Sequence, residues 1–69
     1  MEGKLDRLPP GSWGVITRIG YGPRLYQLGL RPGETVFCKY KSRGVMVLKI
    51  GKRLLALRRR ELYSVWVDY

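Results

Sequence analysis

The chain has 69 residues, of which 45% are hydrophobic, and its 14 basic and five acidic side chains give a formal net charge of +9. We expect one domain spanning residues 1–69, because so short a chain can bury only one small core. Such a core also leaves little scaffold for a catalytic cleft. The hydrophobic content excludes a disordered tail, and no apolar run reaches the roughly 18 residues that span a bilayer. A lone cysteine, Cys38, excludes an internal disulfide, which fits a protein of the reducing cytoplasm. The N-terminal residues lack the apolar stretch of a secretory signal, so a cytoplasmic protein is expected.

The first predicted strand covers Trp13–Ile19, which lies between turn signals rich in glycine and proline. Alternation places Val15 and Ile19 on one face of this strand and Ile16 on the other. Similar turn signals recur at short intervals along the whole chain, and this regular spacing is typical of an all-β sandwich or barrel.

One segment, Arg24–Leu28, predicts a short helix instead of a strand. It contains no β-branched residue, and its two leucines lie three positions apart, on the same face of a helical turn. Gly29 suits the left-handed position that ends a helix, and Leu30 follows where such an end places its apolar contact with Leu25. The next four residues, Arg31–Glu34, carry proline and glycine at the second and third positions of a type II turn.

Alternation is clearest in Thr35–Lys41, which predicts a strand with Val36, Cys38 and Tyr40 on one face. The opposite face carries Thr35, Phe37, Lys39 and Lys41. Because Cys38 shares its face with apolar neighbours, we interpret it as a buried thiol that packs in the core.

Three further strands complete the prediction. Val45–Ile50 and Arg53–Arg58 flank Gly51-Lys52, which fits a tight hairpin because glycine supplies the positive φ that such turns need. The last strand is predicted over Tyr63–Tyr69, with Tyr63, Val65, Val67 and Tyr69 on one face and Trp66 on the other. Five short strands bury their apolar faces best by curling together, so the predicted fold is an all-β, five-stranded barrel with one short helix.

The sequence offers little for catalysis or metal binding. It contains no histidine, and its acids are scattered, so neither a general acid–base pair nor a closed set of metal ligands is apparent. Cys38 has no histidine to activate its thiol, and no glycine-rich phosphate loop is present. We therefore predict that the protein is not an enzyme, has no cofactor and no metal site of its own, and acts by binding another macromolecule.

The basic charge is concentrated in Thr35–Arg60, which holds nine basic side chains and no acid. A field of this sign attracts nucleic acid, an anionic membrane surface or an acidic protein face. Many small β-barrels bind nucleic acid through basic strands with interleaved aromatic side chains, and this is the alternative function. Its candidate residues are Phe37, Tyr40, Arg58, Arg59 and Arg60.

Three fragments, in consistent order and spacing, resemble the ferrous-iron transport protein A (FeoA) family. The central fragment is Leu25-x-x-Leu28-Gly29-Leu30-x-Pro32-Gly33. The opening fragment is Leu5-x-x-Leu8-x-x-Gly11-x-x-Gly14, and the closing one is Leu55-Ala56-Leu57-Arg58 followed by Glu61-Leu62. The resemblance implies an SH3-like barrel and a small cytosolic accessory that helps a membrane permease with a G-protein domain take up ferrous iron.

This resemblance makes docking on the permease the leading expectation, with the helix, the turn after it and one barrel face as the contact. The candidate partner-binding residues are Arg24, Tyr26, Gln27, Arg31, Lys39, Lys41 and Arg43. Their positive charges are expected to steer the protein towards acidic protein or the anionic inner face of the membrane. A homo-oligomer formed through an exposed sheet edge is a further expectation, and nucleic acid is the less favoured partner.

Overall fold

The computed structural model describes residues 1–69, and its secondary structure confirms a mostly β protein with one short helix. The strands are β1 (Glu2–Lys4), β2 (Trp13–Ile19), β3 (Thr35–Lys41), β4 (Val45–Ile50), β5 (Arg53–Arg58) and β6 (Val65–Asp68). Helix α1 covers Pro23–Gln27, and two 3-10 turns cover Leu5–Arg7 and Arg59–Leu62. The predicted count of five strands is wrong, because β1 forms a sixth. This strand has three residues and no apolar alternation, so only its backbone pairing reveals it.

All six strands belong to one antiparallel sheet with the order β1-β6-β2-β3-β4-β5. Strand β6 lies between β1 and β2, so the two ends of the chain are neighbours, with Gly3 opposite Val67. The molecule measures 24 × 23 × 23 Å, because the sheet curls around its core. No backbone pairing joins the edge strands β1 and β5. The 3-10 turns that follow these two strands contact each other instead.

Fourteen buried hydrophobic residues form one core inside the curled sheet. The strands contribute Ile16, Val36, Cys38, Met46, Leu48, Ile50, Leu57, Val65 and Val67, and the helix and turns contribute Leu5, Leu8, Leu25, Leu30 and Leu62. Leu5, Leu8 and Leu62 are fully buried beside the gap between the edge strands. Burying a leucine side chain contributes about 1.5–3 kcal/mol, so the turns stabilise the fold as well as connecting its strands.

Strand β2 departs from simple alternation between Ile16 and Arg18, where its register against β6 shifts. Ile16 is buried, Val15 is 42% exposed on the outer face, and Ile19 packs against the core. The predicted common face for Val15 and Ile19 is therefore wrong. The irregularity between them turns Ile19 inwards, an effect that a period-two pattern does not include.

A second irregularity interrupts β3 between Cys38 and Tyr40, where the register against β4 shifts. Val36 and Cys38 are fully buried, as their alternation predicts. Tyr40 is 60% exposed, so its predicted place on the same inner face is wrong. The shift carries Tyr40 to the outer face, opposite Val47 of β4.

The last strand is shorter than predicted. Val65 and Val67 are buried in it and Trp66 lies on the opposite face, which confirms their alternation. Tyr63 and Tyr69 lie outside the strand and are 51% and 44% exposed, so their predicted place on its inner face is wrong. The second 3-10 turn occupies the preceding chain and delays the start of the strand.

The helix ends as the sequence predicts. Gly29 has a φ of 95°, and its amide donates to the carbonyl of Tyr26 at 3.0 Å. The amide of Leu30 donates to the carbonyl of Leu25 at 3.0 Å, and both leucine side chains are buried. These two hydrogen bonds define the Schellman motif. The helix therefore ends with its last carbonyls satisfied and an apolar contact beneath them.

The predicted turns before β3 and between β4 and β5 are also confirmed. In Arg31–Glu34, the amide of Glu34 donates to the carbonyl of Arg31 at 3.1 Å, and Gly33 has the positive φ of a type II turn. The hairpin between β4 and β5 places Ile50 opposite Arg53 across Gly51-Lys52.

Replacing Gly29 with alanine is expected to lower the free energy of unfolding by about 1–2 kcal/mol, because a side chain is strained at this φ. An added Cβ would also meet the guanidinium of Arg53, whose Nη2 donates to the Leu28 carbonyl at 2.6 Å. Gly44→Ala is the matched control, since its Cβ meets no atom within 4 Å, and a change within about 0.5 kcal/mol is expected. Urea unfolding followed by tryptophan fluorescence compares them. Equal stability of the two variants would contradict the role assigned to the helix end.

Candidate functional site

The titratable side chains form no metal-binding cluster. Across residues 1–69, no three Cys, Asp or Glu side chains lie together where they could hold a metal ion. None of the helical segments has the length and apolar character needed to cross a bilayer. Three exposed surfaces stand out instead, and each combines residues from several strands or turns.

Cys38 is fully buried in the core, which confirms its interpretation as a packing residue. Burial raises the pKa of its thiol, while the charge of Lys41 and a backbone contact with Tyr40 oppose the rise. The thiol Sγ lies 3.9 Å from the Tyr40 carbonyl oxygen. Because the thiolate is the reactive form of cysteine, this side chain is held in its unreactive form.

The first surface is a row of four side chains across the outer face of β2, β3, β4 and β5, which we call the outer row. It consists of Trp13, Phe37, Lys49 and Leu54, each opposite the next across neighbouring strands. Trp13 and Leu54 are 58% and 55% exposed. The rings of Trp13 and Phe37 pack with centroids 4.8 Å apart. Exposed aromatic side chains in contact are typical of sites that bind other proteins.

A parallel set of outer residues extends this face. Tyr40 lies opposite Val47, and Val47 lies opposite Ala56. Of these surface residues, the sequence singled out Phe37 and Tyr40, for nucleic acid, and missed Trp13 and Leu54. The available signal was that Trp13 and Leu54 are out of phase with the buried residues of their own strands.

The second surface, which we call the helix corner, consists of Tyr26, Gln27 and Arg31. Tyr26 is 41% exposed, and Gln27 and Arg31 are exposed as well. Gln27 and Arg31 line an open groove of about 480 Å³ together with Lys52 and Arg53 from the β4–β5 hairpin. The Arg53–Leu28 hydrogen bond ties that hairpin to the end of the helix.

The structure does not bring all the predicted partner-binding residues together. Arg24 forms an ion pair with Glu61 at 2.5 Å, which links the helix to the second 3-10 turn. Lys41 is partly buried and donates to the Asp6 carbonyl at 2.9 Å, so it connects the sheet to the first 3-10 turn. Lys39 is exposed on β3, and Arg43 belongs to the third surface.

The third surface is an open groove of about 420 Å³ at the opposite end of β4 and β5 from their hairpin. Its lining includes Arg43, Val45, Arg58, Arg59, Arg60 and Tyr63, and we call it the arginine groove. Three of the residues predicted for nucleic-acid binding, Arg58, Arg59 and Arg60, therefore meet here. Phe37 and Tyr40 lie elsewhere, on the outer face of β3.

Comparison with known proteins gives a consistent family. The model of the FeoA domain matches residues 3–69. A structure described as iron uptake regulatory protein (FeoA) superposes with a TM-score of 0.89 at 26% identity, over 99% of this chain and 96% of that one. The iron(II) transport protein A of Clostridium thermocellum gives 0.87 at 32% identity, over 96% of this chain and 44% of that one. None of the curated proteins compared with the chain matches it.

A third structure bears on the fold. The FeoA of Stenotrophomonas maltophilia superposes with a TM-score of 0.83 at 26% identity, over 96% of this chain and 89% of that one. That protein is described as complexed with zinc, as a prokaryotic SH3 domain protein and as a candidate ferrous-iron transport activating factor. The likeness confirms the predicted SH3-like fold, here built from a six-stranded sheet. A manganese-dependent transcriptional repressor shares the fold alone, at 16% identity and a TM-score of 0.85 over 40% of its length.

The native protein is expected to react with iodoacetamide at pH 8 at least about tenfold more slowly than the urea-unfolded chain, because Cys38 is buried and protonated. Mass spectrometry follows the alkylation, with the unfolded chain as the reference. Equal rates for the folded and unfolded protein would show that the thiol is accessible.

The raised pKa of the Cys38 thiol also means that folding favours its protonated form. The resulting contribution to stability is present below the ordinary thiol pKa and is lost as the pH rises through the folded-state pKa.

Proposed function

Because this chain belongs to the FeoA family, we propose that it is an accessory protein of ferrous-iron transport that docks on the cytoplasmic portion of a membrane ferrous-iron permease. The match of the FeoA domain over residues 3–69 carries the proposal and confirms the resemblance seen in the sequence. A description as a candidate ferrous-iron transport activating factor, given to a relative with which 96% of this chain superposes, supports the transport role. The family does not favour the nucleic-acid alternative.

The outer row and the helix corner together supply the proposed docking surface. Lys49 and Leu54 of the outer row come immediately before and after the hairpin segment Ile50–Arg53. Arg53 in turn contacts the end of the helix through the Leu28 carbonyl. One partner can therefore reach both surfaces across the tip of a single hairpin.

The chemistry of this surface suits an acidic protein with an apolar patch. Trp13 and Leu54 provide large exposed anchors, and buried aromatic anchors carry most of the binding energy at protein interfaces. Lys49 lies between Phe37 and Leu54 in the outer row, and Arg31 and Lys52 add positive charge in the groove beside the hairpin. Charges at the rim accelerate association with a partner of opposite sign more than they add affinity. The apolar anchors and the basic rim thus have separate, measurable roles.

A cytoplasmic location at the inner face of the membrane completes the proposal. The formal net charge of +9 attracts the chain towards anionic lipid headgroups, with about 1 kcal/mol for each basic side chain near the surface. This attraction concentrates the protein where the permease presents its cytoplasmic portion. The membrane contact is weak and non-specific, and the apolar anchors provide the specificity of docking on the permease.

The double variant Trp13→Ala/Leu54→Ala is expected to bind the full-length permease in nanodiscs at least about tenfold more weakly than the unaltered protein, through faster dissociation. Biolayer interferometry measures both rate constants. Tyr21→Ala is the matched control, because Tyr21 is 85% exposed in the loop before the helix, and its affinity is expected to be unchanged. The charge variant Arg31→Glu is expected to slow association mainly at low salt.

Two results would contradict different parts of this proposal. If the unaltered protein does not bind the permease at low salt, the accessory function is wrong. If it binds but neither the double variant nor Arg31→Glu changes the kinetics, the docking surface lies elsewhere. Circular dichroism of each variant establishes that the fold is retained, as the high exposure of the substituted side chains leads us to expect.

A further inference from the structure

We propose that the arginine groove is a binding site for a compact soluble ligand with two or more linked phosphate groups. The groove is separate from the surface assigned to permease docking, and this inference does not rest on the proposed function. It follows from the four arginines that line the groove, the single acid (Asp6) near any of them, and the contacts that hold its walls.

The positive charge of the groove is almost uncompensated. Arg43, Arg58 and Arg60 form no ion pair with any acid of the chain. Arg59 approaches Asp6, but the 3.7 Å between its Nη2 and the carboxylate oxygen exceeds hydrogen-bonding distance. The acid closest in sequence, Glu61, pairs with Arg24 instead. Four cationic side chains therefore share the groove with one partial counter-charge.

Backbone contacts hold these like charges together. The amide of Arg59 donates to the Gly44 carbonyl at 2.9 Å, and its Nη1 donates to the Ser42 carbonyl at 3.2 Å. The Ser42 amide closes the β3–β4 turn by donating to the Val45 carbonyl at 2.9 Å. These bonds fasten the turn that carries Arg43 to the segment that carries the other three arginines. The two walls of the groove are thus fixed before any ligand binds, which lowers the entropic cost of binding.

The residue types and the size of the groove identify the chemistry of the ligand. A guanidinium presents a planar array of donors that matches phosphate oxygens, and it stays charged at all physiological pH values. A volume of about 420 Å³ lies within the range of small-molecule sites and exceeds the space that one phosphate group fills. Linked phosphates spread more charged oxygens over this volume than a single phosphate does, so arginines from both walls can contact one anion at the same time.

The shape of the site favours a soluble ligand over a membrane. The Arg59 side chain is only 29% exposed, and its Nε is buried without a hydrogen-bond partner. This guanidinium is therefore set back at the floor of the groove, between the side chains of the rim. A flat bilayer surface reaches the rim but not the floor, whereas a small polyphosphate can enter.

The test is isothermal titration of the full chain with inorganic tripolyphosphate at low and at moderate salt. One site per chain is expected, with an affinity that falls as salt rises. The groove variant Arg43→Gln/Arg60→Gln is expected to lose at least about tenfold in affinity. The matched control is Lys39→Gln/Lys52→Gln, which removes the same charge from exposed positions outside the groove, and it is expected to change affinity less than about twofold. Neither substituted arginine has a hydrogen-bond or ion-pair partner, so the fold is expected to survive.

Several outcomes would overturn the inference. Equal losses in the groove variant and the lysine control would show that tripolyphosphate responds only to the net charge. No binding of tripolyphosphate at low salt would remove the site altogether. Parallel titrations use a single-stranded oligonucleotide and vesicles of phosphatidylcholine and phosphatidylglycerol at about 2:1. If either of these binds through Arg43 and Arg60 more tightly than tripolyphosphate does, the groove recognises a macromolecular surface and the proposed ligand is wrong.

The thermal midpoint provides an independent readout. A ligand that binds the folded state alone raises the midpoint, and at a given ligand concentration the rise is larger for tighter binding. At one tripolyphosphate concentration, the midpoint is expected to rise in the unaltered protein and in the lysine control, and to rise much less in the groove variant. An equal rise in all three proteins would place tripolyphosphate outside the groove and contradict the assignment.

Discussion

The two 3-10 turns contact each other where the edge strands β1 and β5 remain unpaired, and this contact joins the two ends of the curled sheet. Asp6, in the first turn, is only 7% exposed and lies between two cationic groups: Lys41 donates to its carbonyl, and Arg59 approaches its carboxylate. Fully buried leucines pack beneath this polar contact. Because a buried carboxylate needs nearby positive charge, the contact fixes how the turns meet, and hence where β1 and β5 end. The arginine groove depends on the same contact, since Arg59 belongs to both.

Internal pairing of the acids explains why so much positive charge remains at the surface. Asp6 is used between the turns, Glu61 pairs with Arg24, and Asp68 binds the terminal amine at 2.7 Å. Glu2 accepts a hydrogen bond from Thr17 and lies 3.5 Å from Arg18. Most of the few carboxylates thus hold the N-terminal, C-terminal and helical segments to the sheet. The basic side chains of β3, β4 and β5 are left without counter-charges, so their field is available to partners.

The two proposed roles use different kinds of surface. The outer row offers apolar area with a basic rim, which suits a folded protein partner. The arginine groove gathers the side chains of four arginines, which suits a small anion. Both surfaces are carried by β4 and β5, with the hairpin at one end and the groove at the other.

Local patterns in the sequence determined the helix end, the type II turn, the hairpin and most of the strands. Each of these depends on a few adjacent residues, such as the glycine at a positive φ in the Schellman motif. The outer position of Tyr40 and the inner position of Ile19 were decided by register shifts against neighbouring strands. A register shift is a property of two paired strands, so the alternation of residues within one strand does not predict it. The short strand β1 likewise exists through its backbone bonds to β6, at the far end of the chain.

The family, the class of fold and the sign of the charge thus follow from the order of the residues. Which charges meet follows from the folded chain, which places Arg43 beside Arg58, Arg59 and Arg60 and engages Arg24 and Lys41 in internal contacts. The reason is that a surface is assembled from residues distant in the chain, and their distances are set by the packing of the whole core.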